Sequence, residues 1–326
     1  MLAVTVNPHV KGSLNMENVP MPKLEAGEVL VKVSAAALNH RDIYVNNGWS
    51  FLKDNDDKLI AGGDGAGVIV EVGKGVVGWS VGDEVMFNPY DMVNDKFLGG
   101  PENGTFAEYL AISGNAILRK PEYLSFEEAA SIPLALSTAW GTVVTQGKIK
   151  EGETLLLQGV GGGVALFILQ LALQKGAKVI VTSGSDEKIS RAIAMGAIAG
   201  FNYKTENIAA KVKEFTNGQG VDVVVDSSGK ESIDSSIQSL AENGRLLVFG
   251  STTGGIDWEG LQQKDYFVET EMVKQEELEE ALQFYAEKEL RPILSRKIYR
   301  FEEYKEAFQE LEEAKQFGKI VLRVSI

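Results

Sequence analysis

The 326-residue chain has no cysteine and only two histidines, His9 and His40. The first absence excludes disulfides, a thiol nucleophile and every thiolate metal site. The second leaves a catalytic zinc, which takes about three protein ligands from His, Cys and carboxylates, short of its usual donors. No apolar run approaches the ~20 residues that span a bilayer, and the opening MLAVTVNPHV lacks the basic-then-apolar order of a signal peptide. A cytoplasmic protein with no membrane partner is therefore expected. Positive charge is also scarce: 32 Lys and Arg against 46 Asp and Glu give a formal net charge of −14, which opposes a phosphate backbone and argues against nucleic acid. The remaining composition, 44% hydrophobic and 24% charged, is that of a globular chain long enough for two cores.

The first third reads as short strands: VLVKVSAAAL, GAGVIVEVG and TFAEYLAI are apolar or alternating runs bounded by Gly, Pro and Asn turns. NPYDMVNDKFLGGPENG, rich in turn formers, reads as an irregular loop within that domain. Near Pro121 the texture changes, and strand-like TLLLQGV, AKVIVTSG, VDVVVDSSG and GRLLVFGS alternate with helix-like VALFILQLALQKG and DEKISRAIAMG. Strand, helix, strand at this spacing predicts right-handed crossovers and a doubly wound parallel sheet covered on both faces. The last fifty or so residues return to a mixed pattern, whose acidic helices QEELEEALQFYAEKEL and EEYKEAFQELEEAK read as solvated faces with apolar stripes. The expected division is an α/β dinucleotide-binding domain over 118–272 and a β-rich domain built from 1–117 and 273–326.

LLLQGVGGGVALFILQLA places a buried strand, a glycine cluster and an apolar helix in immediate succession. Gly159 permits the tight exit from the strand, Gly162 and Gly163 let the backbone approach a pyrophosphate, and Ala165, after Val164, lets the helix lie close on the sheet. Free N–H groups and the positive end of the helix dipole then face the phosphates. The next strand ends at Ser183 and Gly184, where an NAD site usually presents an acid to the ribose 2′-OH. Short residues followed by Lys188 suit a 2′-phosphate instead, so NADPH is the expected cofactor; the plain alternative is that Lys188 is an ordinary surface lysine.

These pieces, with AGEVLVKVSAAALNHRD, GGDGAGVIVEVG, VGDEVMFNP, GTFAEYL, LSTAWGTV, GVDVVVDSSG, GRLLVFGSTTG and QFGKIVL, resemble in order the zinc-independent, quinone-oxidoreductase-like members of the medium-chain dehydrogenase/reductase superfamily. The resemblance covers essentially the whole chain. It implies a Rossmann domain joined to a β-rich GroES-like catalytic domain, and a homodimer. Zinc-containing relatives carry a Cys in the segment matching Ala37 to Asp42 and a His and an acid in that matching Gly63 and Asp64; here the Cys and the His are missing. The structural-zinc lobe of four cysteines is replaced by 88–104. By resemblance Asn39, Asp42 and Tyr44 lie on the loop over the active cleft, Thr138 sits beside the nicotinamide, Tyr203 joins Ser183 and Lys188 at the 2′-phosphate, and Gly250, Ser251 and Thr252 lie near the nicotinamide end. Asn39 and Asp42 alternatively only fix their loop through side-chain to backbone bonds. Tyr44 is a proton donor, an oxyanion stabiliser or a pocket wall.

A nicotinamide brings its own hydride chemistry, which leaves the protein to orient the acceptor and manage the charge that develops. Zinc in the relatives polarises a carbonyl, a contribution of several kcal/mol. Without it, a quinone or an α,β-unsaturated carbonyl, whose reduction leaves a weakly basic anion, is a more suitable acceptor than a simple ketone. The expected activity is NADPH-dependent reduction of such a small molecule. The alternatives are an enoyl-thioester reductase and a non-catalytic NADPH-binding protein.

Overall fold

A computed structural model describes residues 1–7, 9–48, 58–91 and 93–325. The chain divides into two compact units, Met1–Leu134 with Lys274–Ile326, and Ala135–Val273.

The second unit is built on six parallel strands. Their spatial order is Ala199–Asn202, Lys178–Ser183, Thr154–Leu157, Val221–Asp226, Leu240–Val248, Phe267–Glu269. Numbered along the chain this is 3-2-1-4-5-6, the doubly wound order whose direction reverses between the first and fourth strands. The middle strands are apolar throughout because both sheet faces are covered: Leu155, Leu156, Val223, Val224 and Val225 are fully buried. Helix Gly163–Gln174 buries Ala165 to Leu169, Leu171 and Ala172, which explains its nearly continuous apolar sequence. Strand Ala199–Asn202 was not anticipated, because AGFN is short, only half-buried and lacks alternation.

In the first unit, the long strand Glu28–Ala37 pairs antiparallel with Asp64–Val72 on one side, and with Tyr109–Ser113 and Lys319–Arg323 on the other. Strands Glu84–Phe87, Ile117–Arg119 and Leu294–Arg300 complete a seven-stranded sheet. Its core is Val29, Val31, Val33, Ile69, Val85 and Phe87. The acidic helices Gln275–Glu287 and Tyr304–Glu312 each bury an apolar stripe, Leu278, Ala281, Leu282 and Tyr285 in one and Ala307, Phe308 and Leu311 in the other. Residues 118–134, placed by the sequence with the nucleotide domain, are held to the first unit by Glu127–Arg323 and Glu128–Arg291 ion pairs and by the Tyr123 hydroxyl donating to the Leu290 carbonyl.

The segment 88–104, of which Met92 lies outside the described residues, contains a small hairpin of Tyr90–Asp91 with Lys96–Phe97. Arg41 fastens it: the guanidinium donates to the carbonyls of Leu98, Gly99 and Gly100 and stacks 3.9 Å above the Phe97 ring. Burial lowers the Arg41 pKa to about 10. Among the described residues no helix is long and apolar enough to cross a membrane.

Candidate cofactor turn and acceptor loop

The glycine turn lies at the reversal point of the sheet, between the ends of strands Thr154–Leu157 and Val221–Asp226. Gly159 leaves the first strand at φ +72° and Gly161 adopts φ +130°, conformations that disfavour any side chain. Gly162 then starts helix Gly163–Gln174 in extended backbone with no capping side chain. A Cβ placed on Gly162 would meet nothing within 4 Å, so the backbone is open to close approach there. First-turn N–H groups without a cap, at the positive end of a twelve-residue helix, suit the pyrophosphate of a dinucleotide. Val164 and Ala165 occupy that first turn.

Lys188 begins as expected in the first turn of helix Asp186–Ala194, but its chain folds back over the glycine turn. A Cβ on Gly161 would lie 2.9 Å from its Cδ and 3.4 Å from its Nζ. The end of strand Lys178–Ser183 has other neighbours. A Cβ on Gly184 would sit 2.8 Å from the Tyr203 hydroxyl and 2.7 Å from Lys204 Cε. The structure thus brings Ser183, Gly184 and Tyr203 together and adds Lys204, which sequence reasoning missed although it directly follows Tyr203. Asp186 and Glu206 are both turned to Asn202: Asp186 accepts from its side-chain amide and Glu206 from its N–H, each at 2.7 Å.

Gly250 has φ +74°. Beside it the Ser251 Oγ is buried with no hydrogen-bond partner, a spare polar atom next to the turn. Thr252 and Thr253 donate their N–H groups to the carbonyls of Ser227 and Ser228, which ties 250–253 to the loop after Val221–Asp226. Thr138 is buried, and its carbonyl accepts from the Thr142 hydroxyl. These features fit a nicotinamide dinucleotide held along the strand ends of this unit.

The candidate catalytic residues belong to the first unit. Helix His40–Asn46 opens at Asn39, whose N–H donates to the Asp42 carboxylate at 2.8 Å. Asp42 is buried; burial raises its pKa to about 6 against the opposing pull of the Asn39 N–H, Arg41 and Lys319. The Asn39 side chain is spoken for at both ends: Nδ2 donates to Asp64 Oδ2 at 2.9 Å and Oδ1 accepts from Lys319 Nζ at 2.6 Å. Lys319 also pairs with Asp64 at 3.1 Å, and Asp64 Oδ1 accepts the Leu134 N–H. Burial and Lys319 lower the His40 pKa. Tyr44 is half-buried, and burial raises its phenol above the ordinary value, so it is protonated at neutral pH.

Lys319 is the largest omission of the sequence reading. Its only signal in the sequence is a lysine at the head of an otherwise apolar strand, GKIVL. The zinc implied by relatives does not fit this donor set. The oxygen donors of the matched segments, Asn39, Asp42 and Asp64, are already engaged: Asp42 accepts the Asn39 N–H, Asn39 Oδ1 accepts from Lys319, and the Asp64 carboxylate carries an ammonium and two N–H donors. Among the described residues no group of three His, Cys, Asp or Glu is arranged to hold a metal.

Residues 25–122 match the alcohol dehydrogenase GroES-like domain, and 163–287 match the zinc-binding dehydrogenase family. A zinc-type alcohol dehydrogenase-like protein of Schizosaccharomyces pombe is 33% identical over 99% of both chains. The 2-methylene-furan-3-one reductase of Solanum lycopersicum is 33% identical over 94% of this chain and 74% of its own. A crotonyl-CoA reductase of Streptomyces avermitilis is 27% identical over 94% and 81%. Among solved structures, an NAD-dependent alcohol dehydrogenase superposes with a TM-score of 0.90 at 33% identity over all of both chains. The quinone oxidoreductase from Coxiella burnetii gives 0.84 at 30% over 100% and 99%. A mycobacterial protein complexed with NADPH gives 0.85 at 27% over 99% and 100%. The chain belongs to the medium-chain dehydrogenase/reductase superfamily, as a quinone-oxidoreductase-like oxidoreductase with a GroES-like domain and a Rossmann domain.

Proposed function

We propose that the protein is an NADPH-dependent reductase of quinones or α,β-unsaturated carbonyls that works without a metal. The observation that carries the reading is the end of strand Lys178–Ser183. It presents Ser183 and Gly184, with the Tyr203 hydroxyl and Lys204 against Gly184 and Lys188 over Gly161, in place of an acid. A 2′-phosphate is favoured by two nearby ammonium groups and a hydroxyl, and an acid there would repel it. The proposed cofactor seat comprises Gly159, Gly162, Gly163, Val164 and Ala165 at the pyrophosphate, and Thr138, Gly250, Ser251 and Thr252 toward the nicotinamide.

When bound, the nicotinamide supplies the hydride. On the acceptor side, the Tyr44 phenol offers a hydrogen bond to a developing oxyanion. Asn39 and Asp42 hold the start of helix His40–Asn46, which carries Tyr44, one through Lys319 and Asp64, the other through the Asn39 N–H. No strong electrophile belongs to this set, and a single phenolic hydrogen bond suffices only for a delocalised, weakly basic anion. That favours conjugated acceptors. The likeness to a furanone reductase and a quinone oxidoreductase supports the same class.

The test is steady-state oxidation of NADPH and NADH, with chelator present, against a quinone, an enal, an enoyl thioester and a matched saturated ketone. Turnover of the quinone or enal with NADPH is expected. Preference for the saturated ketone or for NADH overturns the reading, and preference for the thioester selects the enoyl-thioester alternative that the crotonyl-CoA reductase likeness supports.

A further inference from the structure

Beneath the glycine turn, four buried polar side chains form one line: Asp226 at the end of its strand, Ser236 on helix Ile233–Ser239, Gln158 just after strand Thr154–Leu157, and Thr182 in strand Lys178–Ser183. The Ser236 hydroxyl lies 2.6 Å from Asp226 Oδ2 and 3.0 Å from Gln158 Nε2; the Thr182 hydroxyl lies 2.6 Å from Gln158 Oε1 and 3.0 Å from the Gly159 nitrogen. The direction of every bond is forced from one end. A carboxylate only accepts, so Ser236 must give it its proton. The Ser236 oxygen then has to accept, which turns the Gln158 amide nitrogen toward it and the Gln158 oxygen toward Thr182. Thr182 therefore donates to Gln158, and its lone pair receives the Gly159 N–H. From its other oxygen, Asp226 accepts the Ser228 N–H and the Ser232 hydroxyl, both at 2.8 Å. Those bonds order the loop to which Thr252 and Thr253 are tied.

The geometry points to Asp226 as the positioning residue of the dinucleotide seat, acting on the glycine turn through a one-way chain of hydrogen bonds that ends on the Gly159 N–H. The chain commits that N–H inward, fixes the φ +72° exit, and leaves the N–H groups from Gly162 onward to meet the phosphates. Because Asp226 also anchors 227–229, one carboxylate sets both ends of the seat. An amide at 226 reverses the chain. Its oxygen stays with Ser228 and Ser232, its NH2 drives Ser236 and then Gln158 the other way, and Thr182 ends between two donors with its own proton unplaced.

The inference rests on reading this turn as the dinucleotide seat. The experiment measures NADPH and NADH dissociation constants by fluorescence for the wild type, Thr182→Val, Thr182→Ser, Asp226→Asn and the double variant Asp226→Asn/Thr182→Val, each checked for folding by thermal melting. An unpaired buried donor at the turn is expected to weaken both dinucleotides by roughly tenfold in Thr182→Val and in Asp226→Asn, with Thr182→Ser within about threefold of wild type. The double variant should be no weaker than the worse single variant, because one chain is broken twice. Unchanged affinity in Thr182→Val, failure of Thr182→Ser to rescue, or losses that multiply to about a hundredfold in the double variant overturn the inference. Should Asp226→Asn fail to fold, the Thr182→Val and Thr182→Ser pair decides. A wild type that binds neither dinucleotide refutes the cofactor reading itself, whereas binding that is indifferent to these variants refutes only the role of the chain.

Discussion

Replacing Lys319 by Met removes a cation that is almost wholly buried, with its side chain 3% exposed against a fully enclosed Asp64. The unbranched methionine fills most of the same volume, so the loss is electrostatic rather than a cavity. Breaking a buried pair by deleting one partner costs about 3–5 kcal/mol, because the remaining charge is stranded. Here the stranded carboxylate keeps the Leu134 N–H and the Asn39 amide at 2.9 Å each, which argues for the lower end. Asn39 Oδ1 loses its donor at 2.6 Å, which adds about 1 kcal/mol. The expected destabilisation is therefore about 3–4 kcal/mol, read as a shift in the urea unfolding curve. Lys319→Met/Asp64→Asn, which neutralises both partners, should recover about half of it. A single-variant loss below about 1 kcal/mol, or a double variant as unstable as the sum of the two single variants, would refute the view that this pair holds the acceptor loop.

Three further outcomes are expected. Asp42, raised by burial from 3.8 to about 6, is protonated in the folded state and ionised in the unfolded state between those values. Its contribution therefore weakens by about 2 kcal/mol as pH rises from 4 to 6 and levels off only above pH 7; the stability difference between wild type and Asp42→Asn, measured across that range, should show this slope, and a flat difference would contradict it. Tyr44→Phe should lower turnover of an enal by roughly tenfold or less with cofactor affinity nearly unchanged, since it removes one hydrogen bond from a protonated phenol; total loss of turnover would mark Tyr44 as an indispensable acid. Lys204→Ala should weaken NADPH about threefold to tenfold and leave NADH within twofold, as read by fluorescence titration, and equal weakening of both would remove Lys204 from the 2′-phosphate.

The doubly wound sheet was readable because its central strands are buried on both faces and so stand out as unbroken apolar runs between helical stretches. The glycine turn was readable because chain reversal, close backbone approach and helix initiation all depend on local residues. Features created by distant residues were not. Lys319 meets Asn39 across 280 residues, and nothing in either neighbourhood announces the other. Gln158 and Asp226 look like ordinary polar ends of strands until the sheet places them beside Ser236 and Thr182. The sequence reading sets Lys188 at the 2′-phosphate after Ser183 and Gly184; its placement over Gly161 depends on how its flexible side chain packs, which spacing does not encode.

Strand Lys319–Arg323 pairs with Ala35 to Ala37 of the long strand in the first unit. At ~5–20 residues per second, the 280 residues between Asn39 and Lys319 take about 15 to 55 seconds to synthesise, far longer than most domains need to fold. During that interval the sheet of the first unit has an open edge at 35–37, with a carboxylate at Asp64 still awaiting its ammonium, while the whole of 135–273 emerges between the two halves. The nascent chain thus completes its middle before its beginning. A ribosome stalled before residue 319 would carry Ala35 to Ala37 as a sheet edge open to pairing with another chain.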